Sequence, residues 1–166
     1  MTVHFATGSS LDVAPPFRSY AILTDEKSES TEAGTFTSGS WQVRDLNTQY
    51  HDPDGIVTLS NNIFVLTAGY YFIRFSAPAY RVNVHKSSLF RESGTQTVLA
   101  QGSSERTTSS TAVSNRSEGF WRGQISGTVN LQIRHYASST RSTDGFGKAV
   151  GQGVELYTIV HIFKEF

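Results

Sequence analysis

The chain has 166 residues, which is enough for one domain with its own hydrophobic core. It has no cysteine, which excludes a disulfide framework, a thiolate metal site and a cysteine nucleophile. The 14 Lys and Arg residues balance the 14 Asp and Glu residues, so we expect no binding of nucleic acid and no insertion into a membrane. Charged residues make up 17% of the chain, and abundant Ser and Thr predict a polar, exposed surface.

The first 17 residues show no hydrophobic period and contain Gly8, Ser9, Ser10 and the pair Pro15 and Pro16. Because Pro-Pro favours a stiff, extended chain, residues 1–17 are predicted to be an N-terminal arm or anchor. A frayed terminus fits the same composition. The start lacks a basic segment followed by an apolar run, so we expect no signal peptide. The remaining residues, 18–166, are predicted to form the domain.

Short segments rich in β-branched and aromatic residues follow one another along the domain, separated by polar turns. Asn61 and Asn62 predict a hairpin between two of them, because Asn tolerates positive φ. Residues 50–55 are interpreted as a turn, and residues 102–115 as the least structured stretch. No segment has a helical period with caps at both ends. The predicted strands cover residues 18–24, 41–46, 56–59, 63–66, 69–77, 85–91, 95–101, 119–126, 128–136 and 153–166.

Two of these strands are apolar on both sides. In residues 153–166, strict alternation places Leu156, Val160 and Ile162 on one face and large side chains on the other. Residues 69–77 show the same property. A strand with two apolar faces must be covered twice, once by its own domain and once by another body. The simplest second cover is another copy of the chain, so the sequence predicts an all-β antiparallel sandwich that oligomerises.

Several motifs carry a family resemblance. DG at 54–55, NIFV at 62–65, AGYYF at 68–72 and the closing GxxLYxIV at 153–160 resemble the corresponding segments of C1q/tumour-necrosis-factor-like domains. Thr67 departs from the pattern, since a proline usually precedes the Ala-Gly turn. The combination of WQVRDL, GYYFIRFSAPAY, LQIRHYASST and DGFGKA is also similar to C1q-like heads of phage and other viral structural proteins.

The resemblance implies a jelly roll of about ten strands that assembles as a homotrimer around a threefold axis. By alignment with the family, the trimer interface would consist of Phe72, Arg74, Glu155, Tyr157, Ile159, His161 and Phe163. The sandwich core would consist of Tyr71, Ile73, Phe75, Val129, Leu131, Ile133, Leu156, Val160 and Ile162. A charge at Arg74 would have to be paired across the interface or reach solvent.

Other residues were weighed as ligand sites. Aromatic side chains beside guanidinium groups, at Tyr80–Arg81 and Trp121–Arg122, suggest binding of a host receptor or glycan, with sheet packing as the alternative. His85, His135 and His161 lie on separate strands and would have to converge to bind a metal. Asp52 and Asp54 belong to an ordinary turn, and the glycines of residues 145–153 lack the spacing of a phosphate loop. Neither a cofactor nor a resident metal is therefore predicted.

Two functional hypotheses follow from the sequence. The first is a non-enzymatic virion structural protein, located at the virion surface as a fibre head or a capsid decoration. Residues 1–17 would anchor it to other virion proteins, and the loops at 102–118 and 137–152 would attach to the host. The second is a jelly-roll metal-dependent enzyme or a soluble lectin. A secreted cellular ligand would need a collagen-like stalk or a signal peptide, and neither pattern is present.

Overall fold

The structure, a computed structural model, describes residues 2–4, 10–12 and 17–165. Within this part of the chain all regular structure is β, and no helix has the length and hydrophobicity needed to cross a membrane. The thirteen strands are β1 (Thr2–His4), β2 (Ser10–Asp12), β3 (Ser19–Lys27), β4 (Gln42–Val43), β5 (Thr48–His51), β6 (Thr58–Ser60), β7 (Ile63–Leu66), β8 (Gly69–Tyr80), β9 (Val84–Arg91), β10 (Thr97–Arg106), β11 (Ser114–Ile125), β12 (Val129–Ala137) and β13 (Glu155–Lys164).

Eleven of these strands form a sandwich of two antiparallel sheets. The five-stranded sheet has the order β11-β8-β13-β3-β5, and the six-stranded sheet has the order β10-β9-β12-β7-β6, with β4 also pairing with β12. The predicted all-β sandwich is therefore confirmed. Because consecutive strands often lie in different sheets, most contacts join residues that are far apart in the sequence.

The core lies between the two sheets, where the inward residues of β8, β12 and β13 interlock. Eight of the nine predicted core residues are buried there, namely Tyr71, Ile73, Phe75, Val129, Leu131, Ile133, Val160 and Ile162. The predicted hairpin is also present: Asn61 and Asn62 have φ of 51° and 65° and join β6 to β7. Both positive angles are those that a tight antiparallel connection requires.

Some local predictions differ from the structure. Residues 48–51, read in part as a turn, form the edge strand β5 and pair with β3. Residues 102–106 and 114–115, read as irregular, belong to β10 and β11. Within the predicted arm, β1 pairs with β2, while residues 5–9 and 13–16 lie outside the described residues. Pairing with a neighbouring strand orders these polar stretches, although their composition gives no hydrophobic signal.

A break in the register of β13 corrects the predicted face assignment. The pairing with β3 shifts between Leu156 and Ile159, so Leu156 and Tyr157 are not on the faces that strict alternation gives them. Tyr157 is 3% exposed, and its hydroxyl donates a 2.7 Å hydrogen bond to the carbonyl of Thr31. Leu156 is 47% exposed. The bulge therefore moves Tyr157 into the interior of the chain and Leu156 onto the outer surface.

A fully buried arginine lies at one end of the sandwich. Arg44 follows β4, and its guanidinium donates to Thr158 Oγ1 at 2.9 Å, Pro78 O at 3.2 Å and Phe146 O at 2.9 Å. The ring of Phe146 lies 4.2 Å from the guanidinium carbon. Burial lowers the pKa of Arg44 to about 9. All three oxygen partners are neutral, so this cation is held by hydrogen bonds and by a ring face.

The packing of Phe75 in β8 against the neighbouring strand β11 requires a glycine at position 119. A Cβ at this position would lie 2.3 Å from Cζ of Phe75 on the neighbouring strand β8. We expect Gly119→Ala to lower the free energy of unfolding by about 1–3 kcal/mol, because the ring must move within a packed core. Chemical denaturation measures the change. Gly127→Ala is the control, since nothing lies within 4 Å of its Cβ position, and an equal loss in both variants would contradict the explanation.

Arg44 should not be replaceable by another cation. Arg44→Lys keeps the charge but cannot reach Thr158, Pro78 and Phe146 together, so buried oxygens lose their donors. We expect a loss of about 2–4 kcal/mol in the free energy of unfolding. Arg18→Lys, at an exposed position, is the control and should stay within about 0.5 kcal/mol of the parent chain. Equal stability of the two variants would show that the three bonds contribute little.

Candidate interaction surface

The outer face of the five-stranded sheet carries a row of aromatic side chains. Phe163 of β13 lies directly between Tyr20 of β3 and Phe72 of β8 in the strand register. Their ring centroids are separated by 6.3 Å and 6.0 Å. Phe17 stacks over the row, 4.9 Å from Phe163, and Phe120 of β11 extends it, 6.3 Å from Phe72. Five aromatic rings therefore form a continuous surface across four strands and Phe17, two residues before β3.

Much of this surface is exposed in the single chain. Phe120 is 72% exposed and Tyr20 is 43% exposed, while Phe72 and Phe163 are half-buried. Contiguous apolar surface of this kind marks interaction sites in soluble proteins. The sequence prediction included Phe72 and Phe163 but missed Phe120. Strict alternation along this segment would have predicted the position of Phe120. Gly119, Trp121 and Gly123 face inward, so Phe120 between them faces outward.

A second row of the same face is mixed in character. His161 pairs in register with Ile22 of β3 and Arg74 of β8. Burial lowers the pKa of His161, and the positive charge of Arg74 lowers it further. The side chain of Arg74 bonds Glu118 of β11 at 3.3 Å, and both groups are exposed. Arg74 thus has a partner within its own chain and needs none from another subunit.

Glu155 does not share this face, contrary to the prediction. Its carboxylate is buried and accepts hydrogen bonds from the backbone N–H groups of Val150, Gly151 and Ser30. The bonds from Val150 and Gly151 lower the pKa of Glu155. Its structural effect is to fix the loop that precedes β13. The outward set is therefore Phe72, Arg74, Ile159, His161 and Phe163 from the prediction, together with Leu156, Tyr20, Ile22 and Phe120.

A cavity of about 430 Å³ opens on the same face at the edge formed by β3, β5 and β13. Leu156 and Ile159 contribute to its wall, and Tyr50, which is 68% exposed, stands at its rim. Because β11 forms the opposite edge of the sheet, the protruding Phe120, at the β11 end of the aromatic row, lies on the other side of β8 from this cavity. The remaining lining residues are Ile22, Thr24, Glu26, Val154 and His161.

The four predicted ligand-binding residues do not form one site. Trp121 packs against the core, and Arg122 on the outer face binds Glu165 through two hydrogen bonds of 2.7 and 2.8 Å. Tyr80 and Arg81 lie at the other end of β8, since Trp121 is paired with Ile73. Each pair thus has its own structural partners.

Tyr80 and Arg81 lie where two polar loops meet. The N–H of Tyr80 donates to the carbonyl of Gly145, and the N–H of Arg81 donates to that of Val113. The Arg81 guanidinium also bonds the carbonyls of Ser109 and Ser110. These contacts bring the loops at 107–113 and 138–154 to the same end of the sandwich. Arg81 is thereby a residue that holds one of these loops in place.

The histidines are distributed differently from a metal site. His85 and His135 meet in the interior, with Nδ1 of His85 and Nε2 of His135 2.9 Å apart. His161, in contrast, is on the outer face of the five-stranded sheet. The described residues hold no cluster of three metal-ligating side chains. Asn115, which carries a glycosylation sequon, uses its side chain to bond His85, Glu105 and Arg106.

Comparison with known proteins locates the fold but gives no sequence match. No protein-family model matches the chain, and no curated protein matches it. Among solved structures, murine APRIL aligns with a TM-score of 0.55 and 10% identity, covering 88% of this chain and 98% of that one. The globular domain of zebrafish complement 1qA aligns with a TM-score of 0.55 and 14% identity, covering 88% and 96%. Eiger TNF from S. frugiperda aligns with a TM-score of 0.54 and 13% identity, covering 92% and 94%.

These alignments span nearly the whole length of each compared domain and agree with the two-sheet topology described above. At 10–14% identity they concern the fold alone. The fold is the C1q/TNF-like jelly roll that the motifs of the sequence predict.

Proposed function

We propose that the chain is a non-enzymatic, homotrimeric C1q/TNF-like module, in which the outer face of the five-stranded sheet is covered by further copies of the chain. The observation that carries this proposal is the aromatic row, which is continuous across four strands and has Phe120 72% exposed at its end. Burial of this area would supply a large favourable free energy of association. Five of the predicted interface residues, Phe72, Arg74, Ile159, His161 and Phe163, belong to this face.

The shape of the face supports a second copy as the partner. A closed ring of three requires a heterologous contact, in which two different regions of one chain meet. The sheet offers two such regions on opposite sides of β8, the protruding Phe120 on the edge strand β11 and the cavity bounded by Leu156 and Ile159 on the side of β13, β3 and β5. Both regions are mainly apolar, so each is suited to cover the other.

We further propose that the trimer is located at the virion surface, as a fibre head or a capsid decoration. The resemblance of the sequence to viral C1q-like heads supports this location, as does a surface rich in hydroxyl groups. Residues 1–17 would bind other virion proteins. The loops at 107–113 and 138–154, joined beneath by Tyr80 and Arg81, are the proposed surface for a host receptor or glycan.

The trimer is tested by a charge placed in the exposed part of the face. We expect the parent chain to have a mass of about 55 kDa in solution, three times its 18.3 kDa. Phe120→Asp should shift the mass to that of the single chain, because three carboxylates would be buried in apolar surroundings. Light scattering coupled to gel filtration measures the mass.

Val98→Asp is the matched control, since Val98 is also an exposed apolar strand residue, at 41%, but lies in the six-stranded sheet. It should remain trimeric. A parent chain that is monomeric at micromolar concentration, or a Phe120→Asp variant that stays trimeric, would refute the proposed interface.

The location is tested on particles. Antibodies against the purified chain should label the outside of intact virions in electron micrographs, at the capsid or at the fibre tips. Antibody mixed beforehand with the soluble chain provides the control, because the soluble chain occupies its binding sites and labelling should disappear. Complete absence of the protein from purified particles would overturn the virion assignment but leave the trimer untouched.

A further inference from the structure

The interior of the sandwich contains a hydrogen-bonded pair of histidines. His85 of β9 and His135 of β12 are 3% and 0% exposed, and their ring nitrogens approach to 2.9 Å. The Nε2 atom of His85 lies 2.6 Å from Oδ1 of Asn115 in β11. Asn115 belongs to the five-stranded sheet and the histidines to the six-stranded sheet. The chain Asn115–His85–His135 therefore links the two layers.

The contacts determine which atoms carry the protons. The amide nitrogen of Asn115 donates to Oε2 of Glu105 and to the carbonyl of Arg106, both at 3.2 Å, so its Oδ1 is an acceptor. His85 must then donate from Nε2 and accept at Nδ1, which assigns the donor role to Nε2 of His135. The remaining nitrogen, Nδ1 of His135, is buried and has no partner among the described residues. Every bond in the chain is thus made with both rings neutral.

The surroundings oppose an added proton. The guanidinium of Arg44 is a buried cation of this region that acts on His135. The ring of Phe36 lies 4.9 Å from that of His135, and the ring of Phe146 packs against both Phe36 and Arg44. Among the described residues, Glu105 is the one anion that acts on the pair, and its Oε2 already accepts a hydrogen bond from the Asn115 amide. Burial lowers the pKa of His85, against smaller raising contributions from the Asn115 hydrogen bond and Glu105, and Arg44 lowers it slightly further. Burial, Arg44 and His85 together hold the pKa of His135 well below its usual range.

We propose that Asn115, His85 and His135 form an acid-sensitive latch between the two sheets, closed while both rings are neutral. A proton added at Nδ1 of His85 would face the N–H of His135 2.9 Å away, and although Asn115 could still accept from Nε2, the buried charge is relieved only when this end of the sandwich opens to water. When the latch opens, the end of the sandwich where β9, β11 and β12 meet is released. Ser87 and Ser117 bond each other at 2.8 Å beside it and would part with it. This inference concerns the single chain and does not rest on the trimer.

The direction of the pH effect follows from linkage. In the unfolded chain the two rings titrate near their ordinary value of 6.5, whereas the folded protein keeps them neutral to lower pH. Stability is therefore complete above pH 6.5 and decreases as the pH falls below it. The carboxyl groups whose pKa the fold lowers, those of Asp144, Glu155 and Glu165, lose their contribution at still lower pH. Asp25, whose pKa is raised by burial, acts in the opposite direction.

The experiment compares equilibrium unfolding of the full chain at pH 7.5 and pH 5.0, at one fixed protein concentration. We expect the unfolding equilibrium constant of the parent chain to rise by about tenfold or more, since each unit by which a pKa is lowered corresponds to a factor of ten. The double variant His85→Gln, His135→Gln should lose most of this increase. His161→Gln, at the half-exposed histidine of the other sheet, should keep most of it.

A second measurement uses the parent chain alone and does not depend on the folding of the variants. Nitrogen-proton NMR at pH 7.5 should show both rings neutral, with the proton on Nε2 in each. Hydrogen exchange at pH 5.0 should accelerate first in β9, β11 and β12. A charged ring or a proton on Nδ1 of His85 at pH 7.5, or a double variant with the full pH dependence of the parent, would overturn the proposal.

Discussion

The rest of the structure depends on the double burial of β13. This strand lies in the middle of the five-stranded sheet, between β8 and β3, and has large side chains on both faces. The six-stranded sheet covers the face of β13 that carries Val160 and Ile162. Among the described residues, the other face, with Ile159, His161 and Phe163, has only Phe17 and the neighbouring strands around it. A single chain therefore satisfies half of the requirement that its own sequence imposes, and the proposed association would supply the other half.

The bulge in β13 allows one strand to serve both the core and the loop region. Before it, Glu155 binds the backbone of the preceding loop and Tyr157 fills a site beside Gly147, where a Cβ would lie 2.3 Å from the Tyr157 ring. After it, regular alternation places Val160 and Ile162 in the interface between the two sheets. Thr158, buried at the bulge, accepts the bond from Arg44. Because of the bulge, a single strand places Val160 and Ile162 in the apolar core and Glu155 and Thr158 in hydrogen bonds at the polar end of the sandwich.

Much of the fold could be predicted from the sequence, because alternation along β8, β12 and β13 reports burial directly. Alternation fails at Leu156, because a one-residue register change after it exchanges the faces of Leu156 and Tyr157. No residue nearby in the sequence predicts this change. The same limit applies to Glu155 and to the pairs Tyr80–Arg81 and Trp121–Arg122. Their roles depend on partners such as Val150, Ser109 and Glu165, which only the folded chain brings near. Contacts between residues far apart in the sequence leave no periodic signal.

The distribution of polarity links the two proposals. At one end of the sandwich the interior holds Arg44, His85 and His135, groups that are usually found at the surface, while the outer face of the five-stranded sheet holds aromatic rings that are usually found inside. Each inversion has a physical consequence. Buried groups that bind protons make the free energy of the fold depend on pH, and exposed rings make it depend on the concentration of the chain. Because the latch connects β11 to the other sheet and β11 also carries Phe120, opening the latch removes support from one edge of the proposed interface. Acid should therefore weaken association as well as folding.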